Sequence, residues 1–95
     1  MSLPIKLSDT AQLTLTSIID YIDSINTEGA GWRWYLRFKK KLIRHTFVSS
    51  YPLCRFEEFA NEGFSCISID NWVIVFRIEK KRFYIQYIIY GTILY

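Results

Sequence analysis

The sequence predicts one α+β domain with two layers, in which two adjacent helices pack on one face of an antiparallel meander sheet. Two observations lead to this fold class. Residues 9–25 carry apolar side chains at steps of three and four, which is the pattern of a helix with one buried face. Residues 72–90 contain two runs of β-branched and aromatic residues around a short charged turn, which is the pattern of a β-hairpin. The predicted order of elements is β-α-α-β-β-β.

Composition limits what the chain can be. Its 95 residues fit a single domain, residues 1–95. A hydrophobic content of 51% excludes a disordered chain and is high for so small a domain, which indicates a protein partner. The net charge of +3 permits contact with nucleic acid or an acidic protein but requires neither. No apolar run reaches the roughly 20 residues of a membrane span, and no signal peptide opens the chain, so we expect a cytoplasmic protein without membrane contact.

Motifs for a cofactor or a metal are missing from the sequence. It has no Gly-rich phosphate loop, no zinc-protease helix motif and no EF-hand loop, so we expect no cofactor and no metal. Cys54 and Cys66 fit neither a metal spacing nor a CxxC redox motif, and we expect two reduced thiols. A catalytic Cys–His pair would have to use His45, and nothing in the local sequence supports one. His45 has apolar neighbours and is expected to be a hydrogen-bonded helix residue.

The first half of the chain predicts a short strand and two helices. Residues 4–7 are the strand, Ser8 is an N-cap for the first helix, and Asn26 ends that helix. Thr27 is expected to cap a second helix that continues to about Ser49, shortly before Pro52.

The second helix divides into three zones when its residues are placed at about 100° intervals. One apolar face comprises Trp34, Phe38, Leu42 and His45. A second apolar face comprises Trp32, Leu36, Ile43 and Phe47. A basic stripe between them comprises Arg33, Arg37, Lys40 and Arg44. An apolar arc this wide packs against the sheet and also against the first helix or another chain. The basic stripe is either a solvated face or an electrostatic surface for phosphates or an acidic partner.

The second half of the chain predicts a connection followed by the meander. Residues 51–63 lack a period and include one irregular turn around residues 56–60, and residues 64–69 form the next strand. Asp70 and Asn71 form the turn into the hairpin. Both hairpin strands are apolar at nearly every position, so both sheet faces are covered or one face is reserved for a partner. The expected core consists of Ile18, Ile22, Trp34, Phe38, Leu42, Ile74, Phe76 and Ile85.

Several short strings occur in a characteristic order from Ile5 to Thr92. They are Ser8 with Ala11, Leu15, Ile18, Tyr21 and Ile22; Pro52 with Cys54-Arg55; Gly63; Val75-Phe76-Arg77-Ile78; and Ile88-Ile89-Tyr90-Gly91. Together with the element order, they resemble the ParE branch of the RelE/ParE superfamily of bacterial toxin–antitoxin toxins, often labelled plasmid-stabilisation proteins. Cys54 stands where that branch has a glycine, and Tyr90 where it has a histidine.

The resemblance implies the toxin of a type II toxin–antitoxin system, which inhibits DNA gyrase by binding, without catalysis. A cognate antitoxin would neutralise it by wrapping its helices and sheet, as an acidic segment that folds on binding. The target-binding candidates are Arg55, Arg77, Arg82 and Tyr90. No direct specific DNA binding is expected, and a homodimer in the absence of antitoxin is left open.

Two alternatives stay open beside this reading. The first is a ribosome-dependent mRNA endonuclease of the RelE type. RNA cleavage needs groups that activate the 2′-hydroxyl and stabilise phosphate charge. RelE-type toxins carry basic residues at three positions where this sequence has Val73, Thr92 and Ile93, and the loss of these charges disfavours a nuclease. The second alternative is a degenerate, non-toxic family member, because Ser65 stands where ParE proteins usually carry an arginine.

Overall fold

A computed structural model describes residues 3–47 and 51–91 and confirms the two-layer α+β class. Its elements are β1 (Ile5–Leu7), α1 (Asp9–Ile25), α2 (Ala30–His45), α3 (Glu57–Ala60), β2 (Ser65–Ile69), β3 (Trp72–Glu79) and β4 (Arg82–Tyr90). The short helix α3 occupies the place where the sequence predicts an irregular turn.

The four strands form a mixed sheet in the order β1-β4-β3-β2. The meander strands are antiparallel, as predicted, and β1 joins the edge of the meander beside β4. However, β1 runs parallel to β4, with Ile5 opposite Phe83, so the sheet is not purely antiparallel. Ser8 fixes this junction: its backbone N–H donates to the Ile85 carbonyl over 2.9 Å. Its hydroxyl oxygen also accepts from the Ala11 N–H over 3.0 Å, which confirms Ser8 as the N-cap of α1.

The main core lies between the sheet and the two long helices. Six of the eight expected core residues are buried there, namely Ile18, Phe38, Leu42, Ile74, Phe76 and Ile85. The remaining two, Ile22 and Trp34, are half-buried and pack against this core.

Helix α2 begins later than predicted. Its N-cap is Gly29 at φ 86°, not Thr27, because the tight connection from α1 needs a backbone conformation that glycine adopts without strain. The helix ends at His45, with Thr46 as its C-cap. The predicted extension to Ser49 reaches residues outside the described ranges.

The segment 52–63 lies over the opposite face of the sheet, and we call it the outer cover. Beneath it, Phe64, Val73 and Val75 form a second, smaller buried cluster. Phe59, from α3, packs on Tyr87 with ring centroids 5.9 Å apart. The apolar residues on both faces of the hairpin are therefore explained within the chain, since the helices cover one face and the outer cover lies on the other.

Cys54 and Cys66 form a disulfide, with Cα atoms 4.8 Å apart, so the expectation of two reduced thiols is wrong. Cys54 lies in the outer cover. Cys66 lies on β2 opposite Val75, on the sheet face that the cover overlies. The chain has only these two cysteines, and neither spacing nor composition shows that the cover brings one over the other.

Candidate protein-binding surface

Four large apolar side chains along one side of α2, the last of them just beyond its end, are exposed. Their exposed fractions are 57% for Trp32, 47% for Leu36, 39% for Ile43 and 63% for Phe47. At about 100° per residue, helical positions 32, 36, 43 and 47 fall within an arc of about 60°. We call these four residues the α2 apolar stripe. The buried face of the same helix, with Phe38 and Leu42, points into the main core, so the stripe faces solvent.

A basic edge runs beside the α2 apolar stripe. It consists of the four cations of the predicted stripe, Arg33, Arg37, Lys40 and Arg44, all of them exposed. Neither of the two salt bridges found among the described residues involves any of them. Arg33 donates a hydrogen bond of 3.2 Å to the Thr27 hydroxyl. Helix α2 contains no Asp or Glu, so the positive charge of this edge is not neutralised within the helix.

The position of α2 depends on its close packing against α1 at Gly31. A Cβ atom at Gly31 would collide with the backbone carbonyl oxygen of Ile19, so only glycine allows the two helices to approach this closely. The Gly31 N–H also donates to Asp23 Oδ1 over 2.8 Å, which satisfies one of the free amides at the start of α2. This contact fixes which side of α2 faces the core and which side carries the stripe.

Arg77 lies on the outer face of the sheet, in contact with aromatic rings. Its guanidinium carbon is 5.1 Å from the Phe64 ring centroid and 5.7 Å from that of Tyr84. Its Nε lies 3.0 Å from Glu79 Oε2. The two groups form an ion pair, but the angle at Nε is not that of a hydrogen bond. These contacts hold the Arg77 side chain against the protein.

Among the other target-binding candidates, Arg82 lies near Arg77, because it is opposite Glu79, the ion-pair partner of Arg77. Arg82 begins β4 at the hairpin turn, whereas Tyr90 ends that strand. At about 3.3 Å per residue, eight residues of strand separate them by roughly 26 Å. Tyr90 packs edge-on against Trp72, with centroids 5.0 Å apart. Arg55 lies in the outer cover, 5.1 Å from the Phe56 centroid. Tyr90 is therefore far from Arg82, and the four candidates do not form one site.

A groove of about 530 Å³ between α1 and the end of the hairpin was not anticipated from the sequence. Its apolar walls include Tyr21 and Ile22 from α1 and Trp72 and Tyr90 from the sheet. Tyr21 is 63% exposed. The signal that could have revealed this groove is the pairing of Trp72 with Tyr90, which follows from the hairpin register.

His45 is a hydrogen-bonded helix residue, as predicted. The Tyr51 hydroxyl donates to the His45 carbonyl oxygen over 2.9 Å, and its oxygen lies 3.2 Å from His45 Nδ1. Since the hydroxyl hydrogen goes to the carbonyl, the hydroxyl oxygen can accept from Nδ1–H. Burial raises the pKa of Tyr51 above 10.0. The pair ties Tyr51, which also packs edge-on against Phe76 in the main core, to the end of α2.

Within residues 3–47 and 51–91, no three His, Cys, Asp or Glu side chains are grouped so that they could hold a metal ion. In the same ranges, none of the helices is long and apolar enough to cross a membrane. No protein-family model matches the sequence, and no curated protein matches it at a significant level. The α2 apolar stripe with its basic edge is the candidate site because it combines exposed apolar side chains with exposed cations.

Proposed function

We propose that this chain is a cytoplasmic, ParE-like toxin of a bacterial type II toxin–antitoxin system. It acts by binding its target, for which DNA gyrase is the candidate, and it is held inactive by a cognate antitoxin. The support comes from the two-layer fold, the resemblance of the sequence strings and, above all, the exposed surface of α2.

The observation that carries this proposal is the α2 apolar stripe beside its basic edge. From Trp32 to Phe47 the stripe is about 22 Å long at 1.5 Å per residue, the length of a helix of roughly 15 residues. Fully burying one such side chain is worth about 1.5–3 kcal/mol, so covering the stripe supplies a useful binding energy. The basic edge complements acidic side chains. An acidic amphipathic antitoxin segment that folds on binding fits both features.

The positions of two side chains in the structure favour a binding mechanism over RNA cleavage. Val73, at the place of an arginine in RelE-type toxins, is buried in the cluster beneath the outer cover, where it cannot contact RNA. Arg77 is engaged by Phe64 and Glu79. The other two positions at which RelE-type toxins carry basic residues are Thr92 and Ile93, and they lie outside the described residues.

The test of the proposed activity is induced expression with and without the neighbouring gene, followed by assays on the cells and on purified protein. We expect growth arrest that the neighbouring gene relieves, blocked DNA supercoiling and intact mRNA. Codon-specific mRNA cuts, detected by primer extension and abolished by Arg77→Ala, would overturn the binding-only mechanism. Normal growth, with neither effect, would indicate a degenerate family member.

The test of the surface is a charge reversal on α2. The double substitution Arg37→Glu with Arg44→Glu should slow association with the antitoxin by about tenfold or more and make it less salt-dependent, because it removes electrostatic attraction. The matched control is Lys80→Glu with Lys81→Glu, which changes the net charge equally at two exposed positions of the hairpin turn. Circular dichroism should show unchanged folding for both. Equal association rates for the two variants would contradict a role for the basic edge.

A further inference from the structure

The disulfide is the covalent link between the outer cover and the sheet. It joins Cys54 to Cys66 across 12 residues, and the loop it closes contains α3. Its non-covalent links include the hydrogen bond of 2.9 Å from the Cys54 N–H to the Phe64 carbonyl oxygen and the packing of Phe59 on Tyr87. The disulfide therefore ties the part of the cover around Cys54 directly to β2.

The disulfide is open to a small reagent from one side. A cleft of about 290 Å³ is lined by both cysteines together with Pro52, Arg55, Ser68 and others. Cys54 is 6% exposed, whereas Cys66 is only half-buried. A thiolate entering the cleft therefore approaches the disulfide on the side of Cys66, the more exposed of the two residues. Accessible disulfides exchange with dithiols, while buried structural ones resist.

The main core does not depend on this bond. Neither cysteine belongs to the cluster between the helices and the sheet. Cys66 packs only against the smaller cluster of Phe64, Val73 and Val75. Opening the disulfide therefore leaves the helix side of the sheet packed and affects only the face beneath the outer cover.

We propose that Cys54–Cys66 is a site of reversible thiol–disulfide exchange with a dithiol, and that its reduction releases the outer cover. One thiolate of the dithiol attacks Cys66 Sγ, the S–S bond breaks, and Cys54 leaves as a thiolate that takes up a proton. The second thiol of the dithiol then resolves the mixed disulfide. The dithiol is oxidised to its own disulfide by two electrons, and the protein gains two thiols.

Release of the cover changes the chemistry of the outer face. Phe64, Val73 and Val75 become accessible as an apolar patch, and the Arg77 guanidinium lies beside it, 5.1 Å from the Phe64 ring centroid. An arginine beside exposed aliphatic side chains is a surface suited to protein contact. The oxidised form keeps this surface covered, so the disulfide acts as a redox-controlled latch on the face opposite α2.

The test combines reduction of the folded protein by dithiothreitol with hydrogen exchange. Alkylation and mass measurement should show two free thiols in native buffer. Amides in residues 52–63 should then exchange faster by on the order of tenfold, while those of α1 and α2 keep their protection. Reoxidation should restore the original pattern. The double variant Cys54→Ala with Cys66→Ala should match the reduced protein and should not respond to dithiothreitol.

Three results would overturn the proposal. The disulfide could resist reduction until denaturant unfolds the protein, which would make it a structural staple. The reduced protein could keep the exchange rates of the oxidised one, in which case the bond does not hold the cover. Loss of protection in α1 and α2 on reduction would show that the bond stabilises the whole fold. If the double variant fails to fold, the reduced and reoxidised wild-type protein still decides among these outcomes.

Discussion

Replacing Leu42 with alanine tests the architecture of α2 most directly. Leu42 is 5% exposed and lies in the main core with Phe38 and Phe76. The substitution removes buried methyl groups and leaves a cavity, which costs about 2–5 kcal/mol. In a domain of this size each kcal/mol corresponds to a decrease in Tm of about 4–8 °C, so the change should be large in a thermal melt and in urea denaturation.

The matched control is Leu36→Ala, on the same helix. The change in side chain and in helix propensity is identical, but Leu36 is 47% exposed in the α2 apolar stripe. Its loss should cost less than about 1 kcal/mol, because much of the side chain is already in contact with water. Similar losses for the two variants, or a larger loss for Leu36→Ala, would refute the assignment of core face and exposed stripe.

Two further substitutions test single contacts. Gly31→Ala should destabilise the protein by about 1–3 kcal/mol, because the new Cβ would collide with the Ile19 carbonyl oxygen. This cost should exceed the gain from the better helix propensity of alanine. A Tm at or above that of wild type would contradict this packing. Tyr51→Phe removes the hydrogen bond to the His45 carbonyl and should cost about 0.5–1.5 kcal/mol at neutral pH. Because the folded-state pKa of Tyr51 is raised, its protonation contributes stability that is present below pH 10.0 and is lost as the pH rises through the folded-state pKa. Urea denaturation of wild type and Tyr51→Phe at about pH 8 and pH 11 should therefore show that the variant loses less stability at the higher pH. Equal losses of stability in the two proteins would contradict a raised pKa for Tyr51.

The parts of the fold that depend on local sequence were predictable. The steps of three and four in α1 place Ala11, Leu15 and Ile18 on one face, and all three are buried. The hairpin follows from the composition of its strands and its charged turn, and Trp72 pairs with Tyr90 at its open end. These features need only the periodicity of one element or the pairing of two neighbours in sequence.

The features that depend on distant parts of the chain were not predictable. The direction of β1 follows from its pairing with β4, nearly 80 residues later, where Leu7 lies opposite Ile85. The disulfide follows from where the outer cover places Cys54 over β2. The late start of α2 follows from the conformation of Gly29 and the approach of Gly31 to α1. No local pattern encodes these long-range contacts, because each is decided by how elements pack together.

The candidate site was predictable in composition but not in exposure. Helical spacing groups the α2 apolar stripe and the basic edge correctly, yet it leaves open whether the stripe packs on α1 or faces solvent. Packing settles this, since α1 occupies the side of α2 at Gly31 and leaves Trp32 and Leu36 exposed. The separation of Arg82 from Tyr90, by contrast, follows from the strand length alone and could have been found from the sequence.

The two proposed sites lie on opposite layers of the molecule, and the sheet lies between them. The α2 apolar stripe belongs to the helix layer, whereas the disulfide latch belongs to the outer cover. The strand β3 separates them physically: Ile74 and Phe76 face the helices, and Val75 between them faces the cover. Covering the stripe removes apolar surface of α2 from water without touching the cover, and opening the latch leaves the packing beneath α2 unchanged. The effects of perturbing distant sites that share no partners usually add independently. The proposed antitoxin-binding surface and the proposed redox latch can therefore be tested by separate experiments.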